Sequence, residues 1–382
     1  MKLKDKNKML LEKLNKMLKP TAVDIFAGGG GLSVGLKRAG FQVVSAVELE
    51  PHAFATYKAN HPEVKAFLQD IRTISGKSLL ECSPTGRIDL LSGCPPCQGF
   101  SSLTAKYKRE DPRNQLIKEM SRLVLDIKPR IVMMENVPGL SNKGKPLFDE
   151  LLQTLEDAGY IVNWGILQVA DYGIPQSRRR LVILAGRGFS IELPQPTHSR
   201  NGKNGLKPWK TLRDTISDTA KPHVLSEVKK LGDPRMFKWN VVRDLSPQTL
   251  ARLQAAKAGE SRFEIPMELR PLCHQKNLDG FQGVYGRMSW EQVSVTITGG
   301  CTTVSKGRFG HPEEDRTISV REAALIQTFP VNYIIDTPYM DYACDIVGNA
   351  LPCDFAEVIA QQCFFALEKK HSNLVGTSTN PF

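Results

Sequence analysis

Apolar residues in the first half of the chain follow two alternating patterns. Short runs of apolar and β-branched residues, typical of buried strands, are separated by segments whose apolar residues recur at helical spacing. The strand-like runs are TAVDI, FQVVSAVE, VKAFLQDI, IDLLSG, RIVMMENV, NWGILQVA and RLVILAG. Helices are predicted directly after the glycines of 28–31, over 114–128 and over 146–158. This alternation predicts an α/β fold with a mostly parallel, Rossmann-like sheet and helices on both of its faces.

The pattern changes between residues 190 and 310. This segment is rich in Pro, Gly, Lys and Arg, holds three of the four tryptophans and keeps no sustained period. We therefore predict a smaller, irregular and partly β domain at 190–310, inserted into a larger domain formed by 21–189 and 311–370. A basic helical extension is predicted at 1–20 and a flexible tail at 371–382.

A glycine-rich turn follows the first predicted strand. The order strand, four glycines, helix is typical of the opening of a nucleotide-binding α/β sheet. The second strand then ends at Glu48, seventeen to twenty residues after the glycines, where a carboxylate is placed to accept hydrogen bonds from ribose hydroxyls. The third apolar run ends at another acid, Asp70. These features favour an adenosine-bearing cofactor, and the turn alone would also permit a nicotinamide-dependent dehydrogenase.

Composition narrows the class of protein. With 41% hydrophobic and 24% charged residues, the chain has the composition of an ordinary globular protein. No apolar run approaches the roughly 20 residues that cross a bilayer, and lysines interrupt the N-terminal segment where a secretory signal needs an apolar core. We therefore expect a cytoplasmic protein without membrane contact. Its eight cysteines are expected to remain thiols in a reducing compartment.

The formal net charge of +11 is concentrated in two segments. Residues 1–20 carry seven Lys against two acidic residues, and residues 190–310 carry nineteen Lys or Arg against eleven Asp or Glu. Such concentration favours a polyanionic partner, of which nucleic acid is the simplest. A solvated basic face is the alternative.

The sequence GCPPCQGFS at residues 93–101 places Cys97 just beyond a predicted strand. Two prolines block regular strand pairing there, so Cys97 is predicted in a loop at a strand end, where enzymes commonly place reactive groups. Cys94 and Cys97 also match a C-x-x-C redox or zinc spacing, but the chain supplies no second such pair. Glu135 and the cluster QSRRR at 176–180 interrupt two other apolar runs, and parallel strands would bring Cys97 and Glu135 to one edge.

Taken together, these motifs resemble those of the DNA (cytosine-5) methyltransferase family, in its bacterial form. The resemblance covers roughly residues 21–189 and 285–365. It rests on eight motifs in the order of the family: DIFAGGGG, Glu48, Asp70, GCPPCQGFS, ENV at 135–137, QSRRR, REAALIQTFP at 321–330 and GNALP at 348–352.

The resemblance implies a cofactor and a set of residues around it. The cofactor would be S-adenosylmethionine, converted to S-adenosylhomocysteine, with Phe26 against the adenine, Glu48 on the ribose and Asp70 near the adenine amino group. One departure is Leu49, where some members place a tryptophan. The residues that the resemblance assigns to this cofactor are Phe26, Gly28, Gly30, Gly31, Glu48, Leu49, Asp70, Ile71, Pro96 and Asn349.

The same resemblance implies the chemistry. Cys97 would add to carbon 6 of a flipped-out cytosine, and Glu135 would hold the exocyclic amino group and ring nitrogen 3. Arg178 and Arg180 would lie near the cytosine carbonyl and the catalytic loop. Gln98 and Ser101 would contact DNA. No metal is expected, and Cys94 is expected to have no chemical role.

The implied partner is double-stranded DNA, read by the 190–310 insertion. The enzyme would serve either beside a cognate restriction endonuclease that acts on the same site or as a solitary bacterial or phage methylase, and we expect a monomer associated with the nucleoid. Two alternatives stay open: a tRNA cytosine-5 methyltransferase with the same fold, and a non-catalytic nucleic-acid-binding relative. No motif indicates which DNA sequence is recognised.

Overall fold

The computed structural model describes residues 19–96, 112–260, 262–276 and 283–376, with side chains as far as residue 370. Most of the predicted N-terminal extension therefore lies outside the described residues. Within the described residues, strands and helices alternate along the chain in the predicted order, and the irregular insertion follows the last long strand.

A seven-stranded sheet forms the centre of the fold, in the order β3-β2-β1-β4-β5-β7-β6. The first five strands in this order run parallel, whereas β7 lies antiparallel between β5 and β6. The prediction of a mostly parallel sheet is confirmed. The strands are β1 (Thr21–Ile25), β2 (Gln42–Glu48), β3 (Lys65–Leu68), β4 (Leu90–Gly93), β5 (Ile131–Asn136), β6 (Tyr160–Gln168) and β7 (Arg179–Arg187).

Helices cover both faces of the sheet. The larger domain contains α1 (Gly31–Arg38), α2 (Pro51–Asn60), α3 (Gly76–Leu80), α4 (Ile117–Ile127), α5 (Lys145–Asp157), α10 (Val320–Ile326), α11 (Met340–Asn349) and α12 (Cys353–Gly376). Local signals fix several of their ends. The N-cap residue Glu50 accepts a hydrogen bond from Ala53 N before α2, and Ser319 and Glu322 form a reciprocal capping box at the start of α10.

Burial on both faces explains why the strands read as continuous apolar runs. In β4, Leu90 packs with α1 and α12 on one face, whereas Leu91 packs with α4 and α5 on the other. The two cores consist of consecutive residues that alternate between faces, as the pleat of a strand requires. No polar face is left on the central strands for water to cover.

The 190–310 insertion has little regular structure. Its strands are two residues long: β8 (His198–Ser199), β9 (Lys207–Pro208), β10 (His223–Val224) and β11 (Val241–Val242). Its helices are α6 (Arg213–Ile216), α7 (Leu225–Leu231), α8 (Pro247–Ala255) and α9 (Leu272–Lys276). A third core joins this segment to α10 and α11, with Trp239 fully buried in it. Trp239 is thus a core residue of the insertion.

The last helix extends further than predicted. It continues to Gly376, six residues into the segment that the sequence predicts as a flexible tail. Its first half is anchored because Phe355, Ile359 and Cys363 are fully buried in the core beside α1. Once this anchored part is helical, each further residue adds a backbone hydrogen bond without a new nucleation cost.

The contact between α1 and α12 gives a test of the fold. A Cβ placed on Gly35 would lie 2.5 Å from Ala356 Cβ and 2.5 Å from Glu357 N. Alanine in a helix is intrinsically favoured over glycine by roughly 0.5–1 kcal/mol. Gly35→Ala is nevertheless expected to lower the free energy of unfolding by about 1–3 kcal/mol, because the helices must separate.

Urea denaturation monitored by circular dichroism measures this loss. The control is Gly283→Ala, since a Cβ on Gly283 would make only ordinary contacts with Arg308 at 3.8 Å. Equal or higher stability of Gly35→Ala would contradict the close helix packing described above.

Candidate active site

Four strand ends meet in one row at the carboxyl edge of the sheet. Val47 of β2, Ile25 of β1, Gly93 of β4 and Met134 of β5 lie opposite one another in register. The residues that continue this row, in sheet order, are Glu48, Phe26, Cys94 and Glu135. Strand pairing alone therefore places the predicted cofactor turn beside the predicted catalytic acid.

The carboxylate of Glu48 ties the glycine turn to the end of β2. Glu48 Oε2 accepts a hydrogen bond from Gly28 N at 2.7 Å, and Oε1 accepts from Leu49 N and Glu50 N at 2.8 and 2.7 Å. Burial raises the pKa of Glu48, and the three backbone donors partly oppose that shift. The carboxylate retains further acceptor lone pairs for a ligand hydroxyl.

The glycine turn is open on one side and packed on the other. A Cβ placed on Gly28 would meet nothing within 4 Å. On Gly29 it would lie 2.5 Å from Ile346 Cγ2, and on Gly30 it would lie 2.6 Å from both His61 Nε2 and Tyr333 Oη. Gly28 and Gly30 have φ of 54° and 95°, the left-handed conformation that favours glycine. The turn thus presents bare backbone to a ligand on its open side.

A buried carboxyl lies beneath this turn. Asp24 in β1 is fully buried, and its Oδ2 accepts a hydrogen bond from Ser33 Oγ at 2.7 Å. Its second oxygen, Oδ1, finds no hydrogen-bond partner among the described residues. Burial raises the pKa of Asp24 to about 7, which the Ser33 hydrogen bond only partly offsets. An unpartnered acceptor under the turn suits a ligand that carries a hydrogen-bond donor or a positive charge.

Other predicted cofactor residues follow the ends of β3 and β2, at the same carboxyl edge of the sheet. Asp70 caps a 3-10 helix, Ile71–Thr73, and its ion pair with Arg72 lowers the pKa of its carboxyl. The apolar members differ in exposure: Phe26 is half-buried, Ile71 is buried and Leu49 is 60% exposed. Leu49 therefore presents an open apolar surface where a larger ring could lie.

An ion pair joins Glu135, the predicted catalytic acid, to β7. Arg180 Nε lies 2.6 Å from Glu135 Oε1, and both side chains are largely buried. The contact lacks the angle of a hydrogen bond, so Glu135 Oε1 has no hydrogen-bonding partner among the described residues. The charge of Glu135 is compensated by this cation, and its Oε1 keeps an unused acceptor position for a substrate.

Cys94 and Glu135 are neighbours, and this decides the state of Cys94. Burial raises the pKa of the Cys94 thiol well above its ordinary value, and the carboxylates of Glu135 and Asp24 raise it further. Cys94 therefore stays a protonated thiol and is a poor nucleophile. That Cys94 takes no part in the chemistry remains a prediction.

Asn136 fixes the proline loop that follows Cys94. Its Nδ2 donates a hydrogen bond to Pro95 O at 3.0 Å, and its Oδ1 accepts from Val137 N at 2.8 Å. Both oxygen and nitrogen of the amide are used, so the loop is held directly beside β5. Pro96, next along the chain, is half-buried. The predicted residues Cys97, Gln98 and Ser101 lie outside the described residues.

Arg178 has a different surrounding from Arg180. It is buried, and its guanidinium donates to the carbonyl oxygens of Ile297, Gly348 and Ala350 at 3.0, 3.4 and 3.2 Å. Burial lowers its pKa, and the nearby Arg180 cation lowers it further. Arg178 thus holds the backbone on both sides of the exposed Asn349, at the end of α11.

Two buried glutamines also form hydrogen bonds that hold the GNALP segment in place. Gln176 Nε2 donates to Gln327 Oε1 at 2.7 Å, and Gln327 Nε2 donates to Val347 O and Ala350 O at 2.7 and 2.9 Å. Side-chain amides therefore connect the C-terminal part of the chain to the segment just before β7.

Sequence reasoning missed Asp24, Gln327, His61 and Tyr333. Asp24 and Gln327 have a signal in the sequence: Asp24 is a carboxylate inside the apolar run TAVDI, and Gln327 lies in the motif REAALIQTFP. The contacts of His61 and Tyr333 join residues far apart in the chain, and no local pattern indicates them. Within the described ranges, no group of three or more His, Cys, Asp or Glu side chains could hold a metal ion. None of the described helices combines the length and apolarity of a membrane span.

Comparison with known proteins gives concordant matches. The sequence model of the family described as C-5 cytosine-specific DNA methylase matches residues 21–364. Type II methylase M.HgiDII of Herpetosiphon aurantiacus is 36% identical, with 91% of this chain and 96% of that protein covered. Type II methyltransferase M1.HphI of Haemophilus parahaemolyticus is 34% identical, with 89% and 86% covered.

Solved structures share the fold. A prophage-encoded DNA modification methyltransferase structure from E. coli superposes with a TM-score of 0.66 at 22% identity, with 91% of this chain and 99% of that chain covered. The Dnmt2 methyltransferase of S. pombe gives a TM-score of 0.60 at 18% identity, with 92% and 99% covered. At these identities the likeness concerns the fold alone.

The buried carboxyl of Asp24 generates a pH-dependence of stability. Its pKa is about 7 in the folded protein and 3.8 ordinarily, so between these values the folded state keeps a proton that the unfolded state releases. The contribution of Asp24 to stability therefore falls as pH rises from 4 to 7, by an amount on the order of 1–4 kcal/mol.

Urea denaturation of wild type and Asp24→Asn at several pH values measures this contribution as a difference. The stability of the wild type relative to the variant should decline between pH 4 and 7 and stay level above it. Other titrating groups, present in both proteins, cancel. A difference that does not change with pH would show that Asp24 ionises normally.

Proposed function

The chain belongs to the C-5 cytosine-specific DNA methylase family and is a DNA (cytosine-5)-methyltransferase, and from this premise we propose which of its residues carry the reaction. One observation carries the assignment. Register places the glycine turn, the loop leading to Cys97 and the ion-paired Glu135 side by side at one edge of the sheet. A cofactor at the turn would then face a base held by Glu135.

The family implies S-adenosylmethionine as the methyl donor, and the residues around the turn fit it. Glu48 offers acceptors to ribose hydroxyls, Phe26 and Leu49 offer apolar contacts to the adenine, and the open side of Gly28 admits the ligand against bare backbone. The unpartnered Asp24 Oδ1 suits the amino group of the methionine part. When bound, S-adenosylmethionine supplies a methyl group attached to positively charged sulfur. We propose that no metal takes part.

Cys97 supplies the nucleophile. Carbon 5 of cytosine is a weak nucleophile until a bond forms at carbon 6, and a thiolate is suited to that addition. The new S–C6 bond moves electrons towards carbon 5, so that this carbon could take the methyl group as the bond between methyl and sulfur breaks and S-adenosylhomocysteine leaves. Loss of the carbon 5 proton to a base breaks the S–C6 bond and returns Cys97 to its starting state.

Glu135 and Arg180 act on the opposite edge of the base. Glu135 accepts a hydrogen bond from the exocyclic amino group and holds a proton at ring nitrogen 3, where negative charge would otherwise develop on addition to carbon 6. The ion pair with Arg180 orients this carboxylate, and the remaining guanidinium donors can reach the cytosine carbonyl. Arg178 is proposed as a positioning residue, since its guanidinium is occupied by backbone carbonyls.

DNA is the substrate, and the target base has to leave the duplex to reach this edge, at a cost of a few kcal/mol. We assign Gln98 and Ser101 to DNA contact, and the basic surplus of the 190–310 segment to phosphate contacts. The alternative of a tRNA methyltransferase is less well supported, because the matching family is a DNA methylase family. Methyl transfer to duplex DNA and to RNA, assayed side by side, distinguishes the two.

The two relatives reported above are named Type II methylases. We propose on that basis that this enzyme modifies a specific site that a cognate restriction endonuclease would otherwise cut. We further propose that it acts on DNA as a monomer in the cytoplasm.

The two cysteines of GCPPC give the sharpest test. Cys97→Ser is expected to lower kcat at least about 10³-fold, because a serine hydroxyl is far less ionised than a thiol at neutral pH. Cys94→Ala is expected to retain at least about a tenth of the activity, because Cys94 is a protonated thiol without a bond to form. Transfer of a radiolabelled methyl group from S-adenosylmethionine to duplex DNA measures both.

Bisulfite sequencing of the product then identifies the methylated site. Equal activity of Cys97→Ser and wild type, or loss of activity in Cys94→Ala alone, would refute the assignment of the nucleophile. A wild type that labels RNA and not DNA would favour the tRNA alternative.

A further inference from the structure

The glycine turn is held from behind by a chain of hydrogen bonds. Tyr333 Oη donates to Gly29 O at 2.5 Å and lies 3.1 Å from His61 Nε2. His61 Nε2 is also 3.3 Å from Gly30 O, and His61 Nδ1 lies 2.6 Å from Lys37 Nζ. Tyr333 is 5% exposed and His61 is 3% exposed, so water has little access to replace these bonds.

The direction of every bond in this chain is fixed by its two ends. A lysine ammonium only donates, so His61 Nδ1 accepts and His61 Nε2 carries the ring proton. A carbonyl only accepts, so the hydroxyl proton of Tyr333 points at Gly29 O. The single proton on His61 Nε2 is shared between two acceptors, Tyr333 Oη and Gly30 O. Burial, and then the charge of Lys37, lower the pKa of His61 to about 4, which keeps the ring neutral.

Both ends of the chain are themselves anchored. Lys37 also pairs with Glu63 on the surface. The backbone oxygen of Tyr333 accepts from Arg321 Nη2 at 2.9 Å, and the Tyr333 ring packs on Phe329 at 4.8 Å between centroids. The hydroxyl of Tyr333 is therefore presented to the turn by a fixed side chain.

Four consecutive glycines need hydrogen bonds from other elements to fix their conformation. Glycine loses more conformational freedom on ordering than any other residue, and this turn has positive φ at two of its positions. We propose that Tyr333 and His61 are positioning residues for the cofactor, whose hydrogen bonds hold the carbonyls of Gly29 and Gly30 so that the open side of the turn receives S-adenosylmethionine. This inference rests on the proposed cofactor site.

A purely structural role predicts a different result from a positioning role. If the chain only stabilised the fold, its loss would lower the free energy of unfolding and leave the affinity of the folded protein for the cofactor unchanged. If it pre-orders the turn, part of the binding energy has to order the turn again, and the affinity falls.

The experiment compares Tyr333→Phe with Tyr160→Phe by isothermal titration calorimetry with S-adenosylmethionine. Tyr160 is the matched control, because its buried hydroxyl also donates to a backbone carbonyl, Pro129 O at 2.6 Å, at the opposite edge of the sheet. Tyr333→Phe is expected to raise the Kd about five- to tenfold, and Tyr160→Phe to leave it within about twofold of the wild type.

Steady-state kinetics adds a second readout. Tyr333→Phe should raise KM for S-adenosylmethionine and leave kcat at saturation, and KM for DNA, within about twofold. Lys37→Met, a partly exposed substitution that spares the core, should raise the Kd about three- to fivefold, beyond the margin set by Tyr160→Phe, because the tautomer of His61 is no longer fixed.

The outcomes separate the two levels of the proposal. Equal Kd values for wild type and Tyr333→Phe would overturn the positioning role of Tyr333. An unchanged Kd in Lys37→Met would overturn the part assigned to His61. A wild type that fails to bind S-adenosylmethionine would refute the cofactor site itself.

Discussion

The ion pair between Arg180 and Glu135 is the interaction on which the arrangement of the active site depends. Glu135 ends a parallel strand, so its position follows from the sheet. Arg180 begins its strand, and it reaches the same edge only because β7 runs antiparallel to β5. A parallel β7 would carry this arginine to the far edge and leave a buried carboxylate without a counter-charge, which is costly in a low-dielectric surrounding. The single antiparallel strand thus supplies the counter-charge that offsets the cost of burying Glu135.

The C-terminal part of the chain completes a site that the N-terminal part begins. Arg178 and Gln327 donate hydrogen bonds to backbone carbonyls around Asn349, and Tyr333 donates one to Gly29 O in the glycine turn. These bonds link residues up to 304 positions apart, so the cofactor turn reaches its final form only when both ends of the large domain have folded together. The insertion does not separate them, because its core, with Trp239 at the centre, is continuous with α10 and α11.

Electrostatics assigns different tasks to side chains of the same type. Cys94 faces Glu135 and Asp24, and these carboxylates together with burial keep it a thiol, which leaves Cys97 to the proposed chemistry. Arg178 and Arg180, two residues apart, divide in the same way: Arg178 donates to backbone carbonyls, whereas Arg180 forms an ion pair with Glu135. Spacing along the chain does not reveal this division, because it depends on which groups other elements bring nearby.

The sequence by itself determined the alternation of strands and helices and the glycine turn. It also predicted Glu48, Glu135 and the loop of Cys97 at strand ends. These features depend on strand burial and turn chemistry, which short runs of residues determine locally. The sequence also indicated the family through the order of its motifs. Tertiary structure alone decided the antiparallel course of β7, the extension of α12 to Gly376 and the contacts of Asp24, His61, Gln327 and Tyr333. These depend on contacts between distant segments, whose energies no local pattern encodes.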